Sequence, residues 1–217
     1  IEIKLYRMKN IINYSKHHID QKDIIEVSKV LKSDFLTQGP TVKKFEDKIK
    51  KYLGVKFSVA VNSATSGLHL SCLALGLKKN DIVWTTPNSF VATANCVIHC
   101  GGKIDFVDIN LDTYNICPYL LEKKLKKTNK KKLPKILIIV HFSGLPCDLI
   151  KIKKLSDKYK FKIIEDSSHA LGANYKDTRI GDCKFSDVSV FSFHPIKSIT
   201  SGEGGMVTTN SVEISNN

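Results

Sequence analysis

Residues 191–205 read Phe191-Ser-Phe-His-Pro-Ile-Lys-Ser-Ile-Thr-Ser-Gly-Glu-Gly-Gly205, and a further apolar segment, Gly205 to Thr209, follows at once. An apolar strand ends, a lone lysine follows, and a glycine-rich turn leads into another strand. At a strand exit a lysine can be partly desolvated, which lowers its pKa and frees an amine able to attack an aldehyde. Most lysines are solvated surface groups, so the neighbours of Lys197 decide its meaning.

Outward from this stretch, short apolar runs alternate with amphipathic segments, the pattern of a parallel sheet covered by helices. Strands are expected at 57–61, 82–86, 104–107, 136–141, 161–165, 188–193 and 205–209. Helices are expected near 65–75, 89–100, 118–126 and 148–159. Two more precede them: one starting at Asp20, with Ile24, Val27 and Leu31 on its buried face, and one starting near Pro40 that buries Val42, Phe45 and Ile49. Residues 210–217 read as a polar tail. The fold class is therefore α/β with a mostly parallel sheet, whose ligands gather at the carboxyl ends of the strands.

The chain has 217 residues, 42% of them hydrophobic, enough for one substantial core. No run approaches the roughly 20 apolar residues of a membrane helix, and the amino terminus lacks a signal-peptide pattern. A cytoplasmic protein with no membrane partner is expected. The net charge of +13 raises the question of nucleic acid, but the arginines are Arg7 and Arg179 alone and every other basic residue is lysine. Nucleic-acid readers rely on arginine forks and interleaved aromatics, and the densest run, Lys123 to Lys135, has neither; no nucleic-acid partner is expected. The six cysteines form no Cys-x-x-Cys pair and read as buried free thiols. Cys96, His99 and Cys100 lack a second ligand pair, so no metal is expected.

Four segments at strand ends carry chemistry. Asn62-Ser-Ala-Thr-Ser-Gly67 joins a strand to a helix; it reads as a capped turn or as a cradle whose free helix N–H groups take a phosphate. Ile163-Ile-Glu-Asp-Ser-Ser-His-Ala-Leu-Gly172 ends an apolar strand in acids, of which Asp166 is preferred over Glu165 as a partner for a pyridine nitrogen. Thr86-Pro-Asn-Ser-Phe-Val-Ala-Thr-Ala-Asn95 supplies Phe90 to stack on a flat ring. The fourth is the Lys197 segment, where the Ser192 hydroxyl can share the phosphate. A phosphate cradle, a stacking ring, a carboxylate and an amine are together what pyridoxal 5′-phosphate requires.

With Phe35-Leu-Thr-Gln-Gly-Pro40, these segments resemble the sugar aminotransferases of the DegT/DnrJ/EryC1/StrS family, fold-type I pyridoxal-phosphate enzymes, over about residues 14–210. The resemblance implies that Lys197 holds the cofactor covalently and shuttles the proton, and that Asp166 pairs with the ring nitrogen. It implies that His169 lies near the ring hydroxyl, that Phe90 stacks, and that Ala64, Thr65 and Ser192 line the phosphate site. Tyr14 and Asp34, Phe35, Leu36 and Thr37 match segments that meet a nucleotide sugar. The implied reaction moves an amino group from glutamate to C4 of a UDP-linked 4-keto-6-deoxy-N-acetyl-hexosamine, in biosynthesis of the pseudaminic acid type, by a homodimer in full-length form. Alternatives within the resemblance are another dTDP- or UDP-keto-sugar aminotransferase and an inactive fragment or noncatalytic relative. The related sugar 3-dehydratases replace the lysine with histidine, which Lys197 argues against. Family members are longer, so the resemblance implies that 1–13 is an extension with Met8 as initiator, that 14–217 is the cofactor-binding large domain, and that a small carboxyl-terminal domain is missing.

Overall fold

Asp20 and Asp23 each accept the other's backbone N–H, a capping box that starts α1 (Gln21–Leu31). Residues 15–217 are described in this computed structural model; the expected extension 1–13 and Tyr14 lie outside the described residues. Pro40, whose missing N–H costs nothing at a first helical position, starts α2 (Pro40–Leu53), and Gly54 ends it in the left-handed region, φ 72°. Apolar runs then form β1 (Phe57–Val61), β2 (Ile82–Thr85), β3 (Lys103–Phe106), β4 (Ile136–Val140) and β5 (Lys162–Asp166). Between them lie α3 (Ala64–Ala74), α4 (Ala92–His99), α5 (Pro118–Lys127) and α6 (Leu149–Tyr159). A hairpin follows, β6 (Asn174–Tyr175) and β7 (Thr178–Arg179), then β8 (Val188–Ser192), β9 (Gly205–Thr209) and α7 (Val212–Asn216).

The main sheet has the order β1-β9-β8-β5-β4-β2-β3. From β8 to β3 the strands are parallel, and β9 runs antiparallel to both β8 and β1. The chain adds strands in one direction from β2 to β3 and in the other from β4 to β5 and β8, so the crossovers diverge between β2 and β4. A crevice opens at the carboxyl ends of strands at such a switch point. Helices cover both faces, which is why every residue of β4 is buried. Leu137, Ile139 and Ile163 pack with Trp84 against residues of α5 and α6, while Ile138, Ile164 and Val190 pack with Leu68 and Cys96 of α3 and α4.

Four expectations are corrected. Helix α1 forms, but Ile24, Val27 and Leu31 are 50%, 59% and 66% exposed, because no described residue buries a side chain of this helix. In α2, Ile49 is buried and Phe45 packs on Phe193 as expected, Leu53 joins them against Phe191 and Met206, and Val42 alone of the expected residues is left exposed. Helix α4 begins at Ala92 rather than residue 89, so Phe90 stays on the preceding loop. The supposed polar tail folds into α7, where Ser211 Oγ accepts the Ile214 N–H at 3.3 Å and Ile214 packs on the α3 side of the sheet.

Candidate active site

The loops after β1, β2, β4, β5 and β8 meet around a cavity of about 480 Å³ at the carboxyl ends of the strands. The seven expected cofactor residues, Ala64, Thr65, Phe90, Asp166, His169, Ser192 and Lys197, all line it.

At one side the cavity ends on the first turn of α3. Ser63 caps the helix, its Oγ accepting the Ser66 N–H at 3.2 Å, and the N–H groups of Ala64 and Thr65 remain without intrahelical partners. Two glycines let the sheet come this close. A Cβ on Gly67 would lie 2.8 Å from Val190 Cγ1, and one on Gly205 would lie 2.7 Å from the Ser63 carbonyl carbon. Helix α3 therefore lies directly on β8, and β9 passes directly under its cap. Ser192 ends β8 beside this turn, its Oγ accepting the His194 N–H at 3.4 Å.

Asp166 ends β5, 4% exposed. Its Oδ1 accepts the backbone N–H and hydroxyl of Ser168, at 3.2 and 2.6 Å, and its Oδ2 accepts the Thr93 hydroxyl at 2.8 Å. Lys197 projects from the turn after β8 and is half-buried. Burial lowers the pKa of its ammonium and Asp166 opposes the shift. His169 is likewise pushed down, first by burial and then by the Lys197 charge, with Asp166 again opposing. Amine, carboxylate and imidazole thus act on one another within a single cavity. Phe90 stands at its rim, 72% exposed, free to cover a flat ligand. His194 and Glu203 also line the cavity, with His194 Nε2 3.8 Å from Glu203 Oε1.

The expected sugar-nucleotide segment is elsewhere. Asp34, Phe35, Leu36 and Thr37 occupy the exposed connection between α1 and α2 and do not line the cavity. Thr93, Ser168 and His141 were missed. Thr93 and Ser168 sit inside the motifs containing Phe90 and Asp166, and the available signal was a small hydroxyl within two or three residues of the chosen one. His141 is the polar residue that ends the apolar run of β4.

The DegT/DnrJ/EryC1/StrS aminotransferase family matches residues 17–217. The UDP-4-amino-4,6-dideoxy-N-acetyl-beta-L-altrosamine transaminase of Campylobacter jejuni is 44% identical over 204 residues, covering 94% of this chain and 53% of that enzyme. Helicobacter pylori PseC, an aminotransferase involved in the biosynthesis of pseudoaminic acid, superposes with a TM-score of 0.86 at 37% identity, over 94% of this chain and 53% of its own. Bacillus subtilis NtdA, solved with bound cofactor PMP, superposes with a TM-score of 0.81 at 32% identity, over 89% of this chain and 42% of its own. The chain spans about half the length of the curated relatives it matches.

Proposed function

The chain belongs to the DegT/DnrJ/EryC1/StrS aminotransferase family, and from that premise we propose that the whole protein is a pyridoxal-phosphate-dependent sugar aminotransferase. The proposed reaction transfers an amino group from glutamate to C4 of a UDP-linked 4-keto-6-deoxy-N-acetyl-hexosamine. The observation that carries this reading is the meeting of the Lys197 amine, the buried Asp166 carboxylate and the open first turn of α3 in one cavity.

The residues present fit the cofactor. Lys197 has no carboxylate within ion-pair distance among the described residues, so its amine is available. Oδ2 of Asp166 accepts one hydrogen bond where a carboxylate oxygen takes two, leaving a lone pair for a further donor. The close pass of Gly205 beneath α3 keeps side chains away from two free N–H groups suited to a phosphate. When bound, pyridoxal 5′-phosphate supplies an aldehyde carbon and an electron-withdrawing ring.

In this proposal Lys197 Nζ would hold the cofactor covalently and, as a free amine, would move a proton at the reacting carbons. Its lowered pKa raises the unprotonated share of the free amine. Asp166 holds the proton on the ring nitrogen, oriented by Thr93 and Ser168. Ala64, Thr65 and Ser192 would hold the phosphate, Phe90 would cover the ring, and His169 would serve the ring hydroxyl. A homodimer belongs to the same reading, and the apolar face of α1, which no described residue buries, is surface a second copy can bury.

The sugar preference rests on the 44% identity to the Campylobacter jejuni transaminase. The test is turnover of UDP-linked 4-keto sugars with glutamate by the full-length protein, alongside its Lys197→Ala variant. Release of 2-oxoglutarate and of an aminated nucleotide sugar by the wild type alone is the expected result. Equal turnover by the variant would remove Lys197 from the mechanism.

A further inference from the structure

The buried pair His141 and Glu165 has no part in the chemistry described so far. They are 1% and 2% exposed, and titratable groups taken into an apolar interior cost stability unless they are well bonded. Both are. His141 Nε2 lies 2.7 Å from Glu165 Oε2, and Nδ1 accepts the Cys147 backbone N–H at 3.0 Å. Burial pushes the imidazole pKa down while the Cys147 sulfur and Glu165 push it up, the net direction being upward. The hydrogen-bond geometry overrides that upward pull: a second proton on Nδ1 would meet the Cys147 N–H, so the ring that makes these two bonds is neutral, with its proton on Nε2 donated to Glu165.

One residue therefore makes three grips, two on the end of β5 and one on the loop that follows β4. The His141 N–H donates to the Asp166 carbonyl at 3.2 Å, continuing the β4–β5 ladder past its last pair, Val140 and Asp166. Its Nε2–H holds Glu165, the residue before Asp166. Its Nδ1 holds Cys147, whose thiol donates to the Val140 carbonyl at 3.2 Å and closes the loop 141–147. That loop carries Phe142 to the cavity wall and brings Gly144 so near the His169 turn that a Cβ there would lie 2.7 Å from the His169 oxygen.

We propose that His141 is a positioning residue that fixes Asp166, Phe142 and His169 relative to one another, through Glu165 on one side and Cys147 on the other. The proposal rests on reading Asp166 and Lys197 as the cofactor site, and it assigns His141 a geometric role without charge transfer.

Two variants separate the grips. Gln at position 141 puts an amide nitrogen near the place of Nε2, and Asn puts a carbonyl oxygen near that of Nδ1. In the full-length protein, amide hydrogen exchange of segments 142–147 and 166–170 is measured without cofactor, then the cofactor dissociation constant, kcat and KM with it. His141→Ala should speed exchange in both segments, and weaken cofactor binding and lower kcat about tenfold each, with donor KM within about twofold. His141→Gln should restore protection of 166–170 alone, and His141→Asn that of 142–147 alone. Glu165→Gln, which keeps an acceptor and removes the charge, should stay within about threefold of wild type in kcat.

Exchange that rises uniformly along the chain, or that stays unchanged in His141→Ala, overturns the proposal. So does a Glu165→Gln variant as impaired as His141→Ala. If the wild type binds no pyridoxal phosphate, the cofactor reading fails by itself, and the exchange pattern still decides the role of His141.

Discussion

Thr93 Oγ1 donates to Asp166 Oδ2 across 2.8 Å, tying the first turn of α4 to the end of β5. Both groups are buried, 0% and 4% exposed, so no water substitutes for the hydroxyl when it is removed. Hydrogen bonds to charged acceptors contribute about 1.5–3 kcal/mol. Thr93→Val keeps the side-chain shape and deletes this bond. We expect kcat to fall at least about tenfold and cofactor affinity to weaken by a similar factor, with most of both recovered in Thr93→Ser. Steady-state kinetics and cofactor titration of the three proteins provide the check.

Gly205 makes a second sharp prediction. A Cβ there would meet the Ser63 carbonyl carbon at 2.7 Å and the Ala64 nitrogen at 2.8 Å, and neither backbone atom can rotate away. Gly205→Ala should therefore push the cap of α3 off β9, costing about 1–3 kcal/mol of stability. Because the displaced N–H groups are those assigned to the phosphate, affinity for pyridoxal 5′-phosphate should fall more than affinity for pyridoxal. Thermal melts and paired titrations measure the two effects separately.

The reach of the sequence follows from which interactions are local. Strand β4 is legible because burial on both faces demands an unbroken Ile-Leu-Ile-Ile-Val run, and α1 because Asp20 announces its own cap. Lys197, Asp166 and Phe90 were found because each stands in a short motif at a strand end, and the α/β topology brings those ends together. Thr93 escaped because its meaning comes from a partner 73 residues away. The exposure of Ile24, Val27 and Leu31 escaped for the opposite reason: periodicity states that a helix has an apolar face, and not what covers it.

That exposed face is testable. Leu31 is 66% exposed, so Leu31→Glu should change the intrinsic stability of this chain by no more than about 0.5 kcal/mol. In the full-length protein, a second copy seated on α1 predicts that the same substitution shifts sedimentation from dimer toward monomer. A dimer equally stable in both proteins would move the interface away from this helix.

Lys197 links stability to pH with a definite sign. Burial lowers its folded pKa below the ordinary 10.5, with Asp166 opposing. Below the folded pKa the ammonium is charged in both states, and the cost of half-burying it is fully present. Between the folded pKa and 10.5 the unfolded chain binds more protons than the folded one, so stability rises with pH. Above 10.5 both states are neutral and the cost is gone. Lys197→Met carries no such charge, so in the cofactor-free protein it should melt above the wild type at neutral pH. Its advantage should shrink as pH climbs through the lowered pKa. The same shift makes the wild-type amine more reactive than surface lysines at neutral pH, so a limiting amine-acylating reagent should label Lys197 early, with a rate that rises with pH until the lowered pKa is passed. A variant advantage that does not change with pH, or labelling of Lys197 no faster than that of exposed lysines, would show that the ammonium is fully solvated and that the cavity does not prepare it for attack.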